Sequence, residues 1–365
     1  MSTMELQLRV QRPTFTLDVQ LRLPGQGVTA FFGPSGCGKT TVLRAVAGLE
    51  RARPGRVVVH GEVWQDDTAG DGSPPALWRP THERALGYVF QEASLFPHLS
   101  VRRNIEYGLR RTPATRRHIA LEQAVDLLGI APLLERAPAT LSGGERQRVA
   151  MARALATSPR VLLMDEPLAA LDPARKAEVL PYLERLQREL DMPILYVSHA
   201  PDEVARLASH LVLLQDGRVQ AQGDPVALMA ALDLPLAQGD AAATLVAGTV
   251  VAHDAEDHLT TIAFPGGRLQ LVSPRQRPVG QAVRLRVQAR DVSLTLAPQT
   301  GTSILNIVPA QVVALREDSP GQVMVALQAG GTQLLARITQ RSARALQLAP
   351  GVPVHAQVKG VALLD

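Results

Sequence analysis

A glycine-rich loop joins an apolar run to a helical pattern near the beginning of this 365-residue chain. The run Val28–Phe32 lacks regular polar alternation, as expected of a strand covered on both faces. The segment 33–40 (GPSGCGKT) follows directly, fits the pattern GxxxxGK[ST], and opens a helical stretch, Thr40–Ala47. Glycines allow the backbone to approach phosphate oxygens, and a helix N-terminus supplies free N–H donors. This order therefore predicts an α/β fold whose loop binds a phosphate group.

The loop carries two side chains with distinct predicted roles. Lys39 is expected to reach the β- and γ-phosphates of a nucleotide, and the hydroxyl of Thr40 to bind Mg²⁺. Cys37 occupies a variable position of the pattern, where it is expected to pack. The alternative is a glycine-rich turn that merely starts a helix. The predicted nucleotide contacts are Gly33, Pro34, Ser35, Gly36, Cys37, Gly38, Lys39, Thr40 and Thr41.

Two adjacent carboxylates end a second buried-strand pattern. Val161–Met164 is followed by Asp165 and Glu166, and successive strand residues point to opposite faces of a sheet. Asp165 is therefore predicted to bind Mg²⁺ beside Thr40. Glu166 is predicted to orient or deprotonate an attacking water. A capped strand end without a catalytic role is the alternative.

The order of patterns along the chain predicts two domains. Up to about residue 230, apolar runs alternate with helical stretches, which indicates a mostly parallel sheet flanked by helices. A helical segment at about 92–140 interrupts this alternation. After about residue 234, short β-branched runs separated by Gly and Pro turns predict a small all-β domain. We therefore expect domains at 1–234 and 235–365.

Composition excludes several classes of protein. Net charge is +4, from 38 basic and 34 acidic residues, which is too small to indicate a nucleic-acid partner. The single cysteine excludes an internal disulfide. The longest apolar stretch, 241–252, is shorter than the roughly 18 to 20 residues of a membrane-spanning helix and is better interpreted as a strand. The three lysines are Lys39, Lys176 and Lys359, of which Lys176 is expected on a solvated helix surface.

The segment 141–148 (LSGGERQR) indicates more closely which kind of nucleotide-binding protein this chain is. Ser142 is placed as a helix N-cap with Glu145 at the third helical position, a capping box in which Glu serves as well as Gln. The segment resembles the LSGGQ signature of the ATP-binding-cassette family. Other marks of that family follow its order: 88–91 (YVFQ), 170–172 (ALD) and 195–199 (LYVSH). The resemblance covers roughly residues 1–230 and implies a P-loop ATP-binding cassette that hydrolyses ATP with Mg²⁺.

The resemblance also assigns roles to individual residues. It implies a head-to-tail homodimer in which Ser142, Gly143 and Gly144 of one chain face the phosphate loop of the other. His199 would contact the γ-phosphate. Gln91 would ligate Mg²⁺ and report the nucleotide to the helical insert. Members of the family often stack adenine on an upstream aromatic residue, and Phe15 could serve in this way or be part of the core.

The arrangement resembles that of importers, whose cassette is a separate chain. It implies two membrane permease subunits, a cytoplasmic location at the inner membrane, and indirectly a periplasmic or extracellular oxyanion-binding protein. Leu95, Phe96 and Pro97 are candidate permease contacts. The alternative is that these three residues form a local core of the insert.

The C-terminal region suggests the cargo. Segments 286–294 (RVQARDVSL) and 302–306 (TSILN) resemble the OB-like, molybdate-binding barrel of molybdate importer ATPases, with the best match at about 297–365. Ser303, Asn306 and Lys359 are the candidate oxyanion contacts. Leu305 stands where the resemblance calls for arginine, which removes a strong donor. A dimerising barrel that binds no ligand is the alternative.

Other functions remain as alternatives to molybdate import. The same mechanism could serve sulfate, Fe³⁺, polyamine or sugar import. A cassette acting on DNA or ribosomes is disfavoured, because the chain has neither a long coiled-coil interruption nor a second cassette. A molybdate store with a degenerate cassette is disfavoured because the nucleotide-handling residues are intact.

Overall fold

The computed structural model describes residues 3–67, 77–273 and 277–364. The chain forms two compact units, Met1–Gly223 and Asp224–Asp365. The division precedes the position predicted from the sequence, after residue 234. The reason is that a helix at Pro225–Ala230 packs against Ala243–Asp254 and Thr332–Thr339, two strands of the second unit.

The first unit is built on a six-stranded, mostly parallel sheet. Its strand order is β11-β10-β3-β9-β8-β7, and all pairings except β10 with β11 are parallel. The predicted apolar runs lie in its strands, and β8 and β9 are buried along their whole length. The prediction of a mostly parallel sheet is therefore confirmed. The strands are β3 (Gly27–Phe32), β7 (Leu86–Val89), β8 (Val161–Asp165), β9 (Pro193–Val197), β10 (His210–Gln215) and β11 (Arg218–Gly223).

A second, antiparallel sheet of the same unit was not predicted. It has the order β2-β1-β4-β5-β6. In its first strand Met4, Leu6, Leu8 and Val10 are buried and alternate with more exposed residues, the pattern of a sheet with one covered face. The strands are β1 (Thr3–Arg12), β2 (Phe15–Pro24), β4 (Gly55–Val59), β5 (Glu62–Asp66) and β6 (Leu77–Trp78).

Helices cover the parallel sheet and form two apolar cores. One core joins the antiparallel sheet to the first helix through Leu6, Phe31 and Val42, and the other includes Ile105 and Leu162. The predicted insert at about 92–140 contains α2, α3 and short 3-10 turns. The helices are α1 (Lys39–Ala47), α2 (Val101–Leu109), α3 (Leu121–Leu127), α4 (Gly143–Leu155), α5 (Pro173–Glu189) and α6 (Pro201–Leu207).

The second unit contains two five-stranded antiparallel sheets, which agrees with the predicted C-terminal β domain. Their orders are β14-β13-β12-β15-β21 and β16-β20-β17-β18-β19, and Leu285, Val325 and Val354 are part of one shared core. The helices are α7 (Pro225–Ala230) and α8 (Gln340–Ala345). The strands are β12 (Ala243–Asp254), β13 (Leu259–Phe264), β14 (Gly267–Val272), β15 (Ala282–Gln288), β16 (Val292–Thr295), β17 (Asn306–Ser319), β18 (Gln322–Ala329), β19 (Thr332–Thr339), β20 (Pro353–Val358) and β21 (Ala362–Leu363).

The long apolar stretch at 241–252 lies largely in β12, as predicted. Across the described ranges, none of the helices combines the length and the apolar character needed to cross a bilayer.

Candidate functional site

The phosphate loop lies between β3 and α1, at the carboxyl end of a central strand. A Cβ atom added to Gly33 would lie 2.1 Å from the main-chain oxygen of Leu214, so β3 and the neighbouring strand leave no room for a side chain there. Gly38 precedes α1 with φ of 106°, a conformation that is costly for residues with a Cβ. Pro34, Ser35 and Gly36 are exposed. The loop is therefore held by tight contacts at both ends, with its middle open to solvent.

Lys39 lies inside the loop. Its ammonium is buried and donates hydrogen bonds to the carbonyl oxygens of Gly33 and Pro34, both at 2.8 Å. The Sγ atom of Cys37 lies 3.8 Å from the ammonium, and burial raises the pKa of this thiol. The loop thus holds a cation at its centre among main-chain carbonyl oxygens, which is the charge that a phosphate-binding site needs. Thr41, the last predicted nucleotide contact, is buried in the first turn of α1.

Asp165 contacts both the phosphate loop, through Thr40, and the 88–91 segment, through Tyr88. It ends β8, and its Oδ1 accepts a hydrogen bond from the hydroxyl of Thr40 at 2.8 Å. Its Oδ2 accepts one from the hydroxyl of Tyr88 at 3.2 Å. Burial raises the pKa of Asp165 and also that of Tyr88. A hydroxyl and a carboxylate side by side, next to a phosphate loop, are the hard oxygen donors that Mg²⁺ prefers. The residues present therefore fit this ion.

Glu166 and His199 are in direct contact. Oε2 of Glu166 lies 3.2 Å from Nδ1 of His199. Glu166 has φ of 46°, and its backbone N–H donates to the carbonyl of Val197, two residues before the histidine. The backbone thus holds the two side chains together at the carboxyl ends of β8 and β9. Sequence reasoning placed both residues near the γ-phosphate but did not foresee this pair.

Gln91 lies two residues beyond the end of β7, with its side chain exposed. β7 pairs in parallel with β8, with Val89 opposite Met164. Gln91 therefore leaves the sheet at the same edge as Asp165. Its predicted contact with Mg²⁺ is compatible with this placement and stays a prediction.

The capping box predicted at the start of α4 is present. The hydroxyl of Ser142 accepts from the backbone N–H of Glu145 at 3.2 Å, and Oε2 of Glu145 accepts from the N–H of Ser142 at 2.6 Å. That backbone hydrogen bond lowers the pKa of Glu145. Gly143 and Gly144 form the first turn of the helix. Glu145 therefore performs the structural role expected of glutamine, with its charge neutralised in part by Arg136 at 3.4 Å.

Phe15 lies beside the phosphate loop. A Cβ atom added to Gly38 would lie 2.8 Å from its Cζ. The side chain is half-buried at the start of β2 and packs against the core that contains Leu17 and Phe31. Its position is compatible with both interpretations given by the sequence.

The segment that contains Leu95, Phe96 and Pro97 is anchored to the insert. The side chain of Asn104, fully buried, donates to the carbonyl of Phe96 and accepts from its N–H. The ring of Phe96 packs 4.4 Å from that of Tyr107. Leu95 is partly buried and Pro97 is exposed.

A cavity of about 830 Å³ opens near the carboxyl end of β7. Tyr88, Phe90, Gly108, Arg111 and Thr157 are among the residues that line it. Phe90 stacks on Tyr88 at 4.2 Å and is 41% exposed. The cavity therefore presents an accessible apolar surface beside the residue that bonds to Asp165.

The candidate oxyanion residues of the second unit have different surroundings. The amide of Asn306 is buried; its Oδ1 accepts from the N–H of Gln270 at 2.7 Å, and its Nδ2 donates to the carbonyl of the same residue at 2.9 Å. This side chain therefore joins β17 to β14. Ser303 and Lys359 are both exposed, as is Leu305. A cavity of about 360 Å³ is lined by Leu305, Asn306, Arg268, Gln270 and three residues of β12 and β13.

Comparison with known proteins now decides the family. Residues 17–169 match the family model for ABC transporters, and residues 302–364 match the TOBE domain. The Molybdenum import ATP-binding protein ModC of Albidiferax ferrireducens is 60% identical over 364 residues, which is 100% of this chain and 96% of that relative. Its namesake in Pseudomonas aeruginosa is 54% identical over 366 residues, with 100% of both chains covered. This chain belongs to the ModC family of ABC transporter ATP-binding proteins.

The membership confirms the resemblance inferred from the sequence motifs. ModC 1 of Azotobacter vinelandii, 59% identical, covers 98% of this chain and 97% of its own length. A solved structure of cbiO1 from Clostridium perfringens, part of the ABC transporter complex cbiONQ, covers 63% of this chain and 91% of its own. It is 26% identical with a TM-score of 0.53. The predicted ATP-binding cassette fold is confirmed by these matches.

Besides the Glu166–His199 pair, the sequence did not predict two further side-chain contacts. The bond from Tyr88 to Asp165 could have been sought in the YVFQ segment, because its tyrosine lies in a strand beside β8. Lys176, expected on a solvated surface, instead bonds to the buried carboxylate of Glu203 at 2.9 Å. That expectation was wrong because the partner lies 27 residues away, in a different helix.

Proposed function

We propose that this chain is the ATP-hydrolysing subunit of a molybdate importer. The observation that carries the cargo assignment is identity of 54 to 60% over the whole chain with proteins named for molybdenum import. The catalytic assignment is supported by the convergence of Lys39, the Thr40–Asp165 pair and the Glu166–His199 pair at the carboxyl ends of neighbouring strands.

The chemistry follows from these residues. Lys39 is proposed to bind the β- and γ-phosphates of ATP, because its ammonium lies within the loop, on the carbonyl oxygens of Gly33 and Pro34. Glu166 orients the attacking water and accepts its proton, and His199 donates a hydrogen bond to the γ-phosphate. Thr40, Asp165 and Gln91 would hold Mg²⁺. When bound, this ion supplies positive charge that stabilises the transferred phosphoryl group.

We propose that two copies of the chain act together. The start of α4 carries Ser142, Gly143 and Gly144 at a helix N-terminus, where anions bind well. In the proposed homodimer this surface contacts the phosphates bound by the loop of the other copy. Each copy would contact one of two permease subunits through Leu95, Phe96 and Pro97, on the cytoplasmic face of the inner membrane. The permease would receive its cargo from an oxyanion-binding protein on the other side of that membrane.

The test uses the full chain reconstituted with its permease in membrane vesicles. Glu166→Gln is expected to bind ATP, to form stable dimers and to hydrolyse ATP at least about a hundredfold more slowly. Glu178→Gln, which changes an exposed carboxylate of α5, is the matched control and should keep its activity. Normal turnover by Glu166→Gln would overturn the catalytic assignment.

The cargo is tested in the same vesicles with oxyanion loaded on the binding protein. Molybdate is expected to stimulate hydrolysis where sulfate at equal concentration does not. Stimulation by sulfate alone would refute molybdate import while leaving the ATPase mechanism in place.

A further inference from the structure

Glu203 of α6 is a buried carboxylate that accepts hydrogen bonds from α5, from β9 and from the loop that follows β9. It is 4% exposed. Its Oε1 accepts from the ammonium of Lys176 in α5 at 2.9 Å. Its Oε2 accepts from the hydroxyls of Tyr196, in β9, and Ser198, each at 2.8 Å. A buried charge is tolerated when it is paired and hydrogen-bonded in this way.

The hydrogen bond between Ser198 and Glu203 helps to fix the backbone around His199. Ser198 donates its hydroxyl proton to Glu203, and the same oxygen accepts from the N–H of Ala200 at 3.0 Å. The N–H of Ser198 donates to the carbonyl of Phe31 at 3.3 Å. The residues on both sides of His199 are therefore bound, while its own side chain remains 60% exposed.

The ion pair between Glu203 and Lys176 reaches the loop that follows Asp165 and Glu166. Asp172 is the N-cap of α5, and its carbonyl accepts from the N–H of Lys176 at 2.9 Å. Lys176 thus lies one helical turn from the end of the 170–172 segment. The ion pair between Lys176 and Glu203 connects that segment to the loop of His199 within one chain.

We propose that Lys176 and Glu203 form a positioning ion pair that holds the His199 loop in register with the 170–172 segment. In this arrangement the imidazole of His199 is oriented before ATP binds. Hydrolysis then requires a smaller loss of conformational entropy from this side chain, because the surrounding backbone is already fixed. The inference depends on the role in hydrolysis proposed above for His199. It adds two residues that touch no nucleotide in that proposal.

The fold provides a matched control between the same two helices. Arg206 of α6 forms an ion pair with Glu184 of α5, and Glu184 is 8% exposed. Across the described residues, the hydrogen bonds and ion pairs of this pair include none to residues 198–200. Its loss should therefore weaken the packing of α5 on α6 without releasing the His199 loop.

The experiment compares Lys176→Met, Ser198→Ala and Arg206→Met in the purified full chain. The readouts are kcat, the KM for ATP, and the thermal unfolding midpoint. Lys176→Met and Ser198→Ala are expected to lower kcat by about tenfold or more with little change in KM. Arg206→Met is expected to lower the midpoint to a similar extent as Lys176→Met while keeping kcat within about twofold. Lys176→Arg should restore most of kcat because it keeps the charge.

Two results would contradict the inference. In one, kcat falls in Arg206→Met as far as in Lys176→Met, so that the loss follows stability alone. In the other, Lys176→Met and Ser198→Ala turn over normally while His199→Ala is inactive, which overturns this inference but not the role of His199. Normal turnover by His199→Ala would instead overturn the proposed function of that histidine.

Discussion

Phe15 offers a test of how this chain binds the base of its nucleotide. The ring is half-buried and lies against Gly38 of the phosphate loop. If the exposed part of the ring stacks on adenine, substitution Phe15→Leu removes the aromatic face but keeps apolar volume against the loop. Phe15→Tyr keeps both the face and the packing, and serves as the control.

The expected losses of ATP affinity and of stability follow from the two roles of Phe15, stacking on adenine and packing against the loop. Base stacking on an aromatic side chain contributes about 1–3 kcal/mol, and each 1.4 kcal/mol is about a tenfold change in affinity. Phe15→Leu is therefore expected to weaken ATP binding by about fivefold to 150-fold. Because Leu replaces most of the half-buried ring, the free energy of unfolding should fall by about 1.5 kcal/mol or less.

Calorimetric titration of the full chain with ATP measures the first quantity, and urea denaturation the second. Phe15→Tyr should bind as the wild type does. If Phe15→Leu also binds ATP with wild-type affinity, the stacking interpretation fails and the ring serves the core alone.

Four further substitutions test other parts of the structure by denaturation. Gly33→Ala should lower the free energy of unfolding by about 3 kcal/mol or more, because its Cβ would meet the main chain of Leu214. Gly36 has φ of 80° and open space around it, so Gly36→Ala should lower this free energy by only about 1–2 kcal/mol. Glu145→Ala should cost about 0.5–1 kcal/mol near pH 7. A backbone N–H lowers the pKa of Glu145 in the folded chain. The stability that Glu145 contributes is therefore lost as the pH falls through its pKa in the folded state. The free energies of unfolding of Glu145→Ala and wild type should converge in acid. Asn306→Ala should destabilise the second unit by about 1–2 kcal/mol, since it removes the hydrogen-bond partner of two partly buried main-chain groups of Gln270. Unchanged stability would refute a structural role.

Local patterns in the sequence predicted the parallel sheet and the phosphate loop well. Each depends on a contiguous segment, such as 33–40, which forms the element and also contains the residues predicted to bind phosphate. The capping box at Ser142 and Glu145 belongs to the same class, because its two partners lie three residues apart.

Contacts between distant segments could not be predicted in the same way. The bond between Tyr88 and Asp165 joins residues 77 positions apart, and that between Lys176 and Glu203 depends on how two helices pack. The antiparallel sheet is a different case, since the alternation in β1 was readable but its partner strands were not. Topology, rather than composition, determines such pairs.

The backbone at Glu166 carries a consequence for the stability of the protein. A left-handed φ of 46° costs a residue with a side chain about 1 kcal/mol, and glycine or asparagine would adopt it more readily. A chain selected for robustness alone would accept either replacement at this position. The carboxylate at this position therefore costs the fold some stability, while its side chain makes the contact with His199, so that the proposed hydrolytic role and stability oppose each other within a single peptide unit.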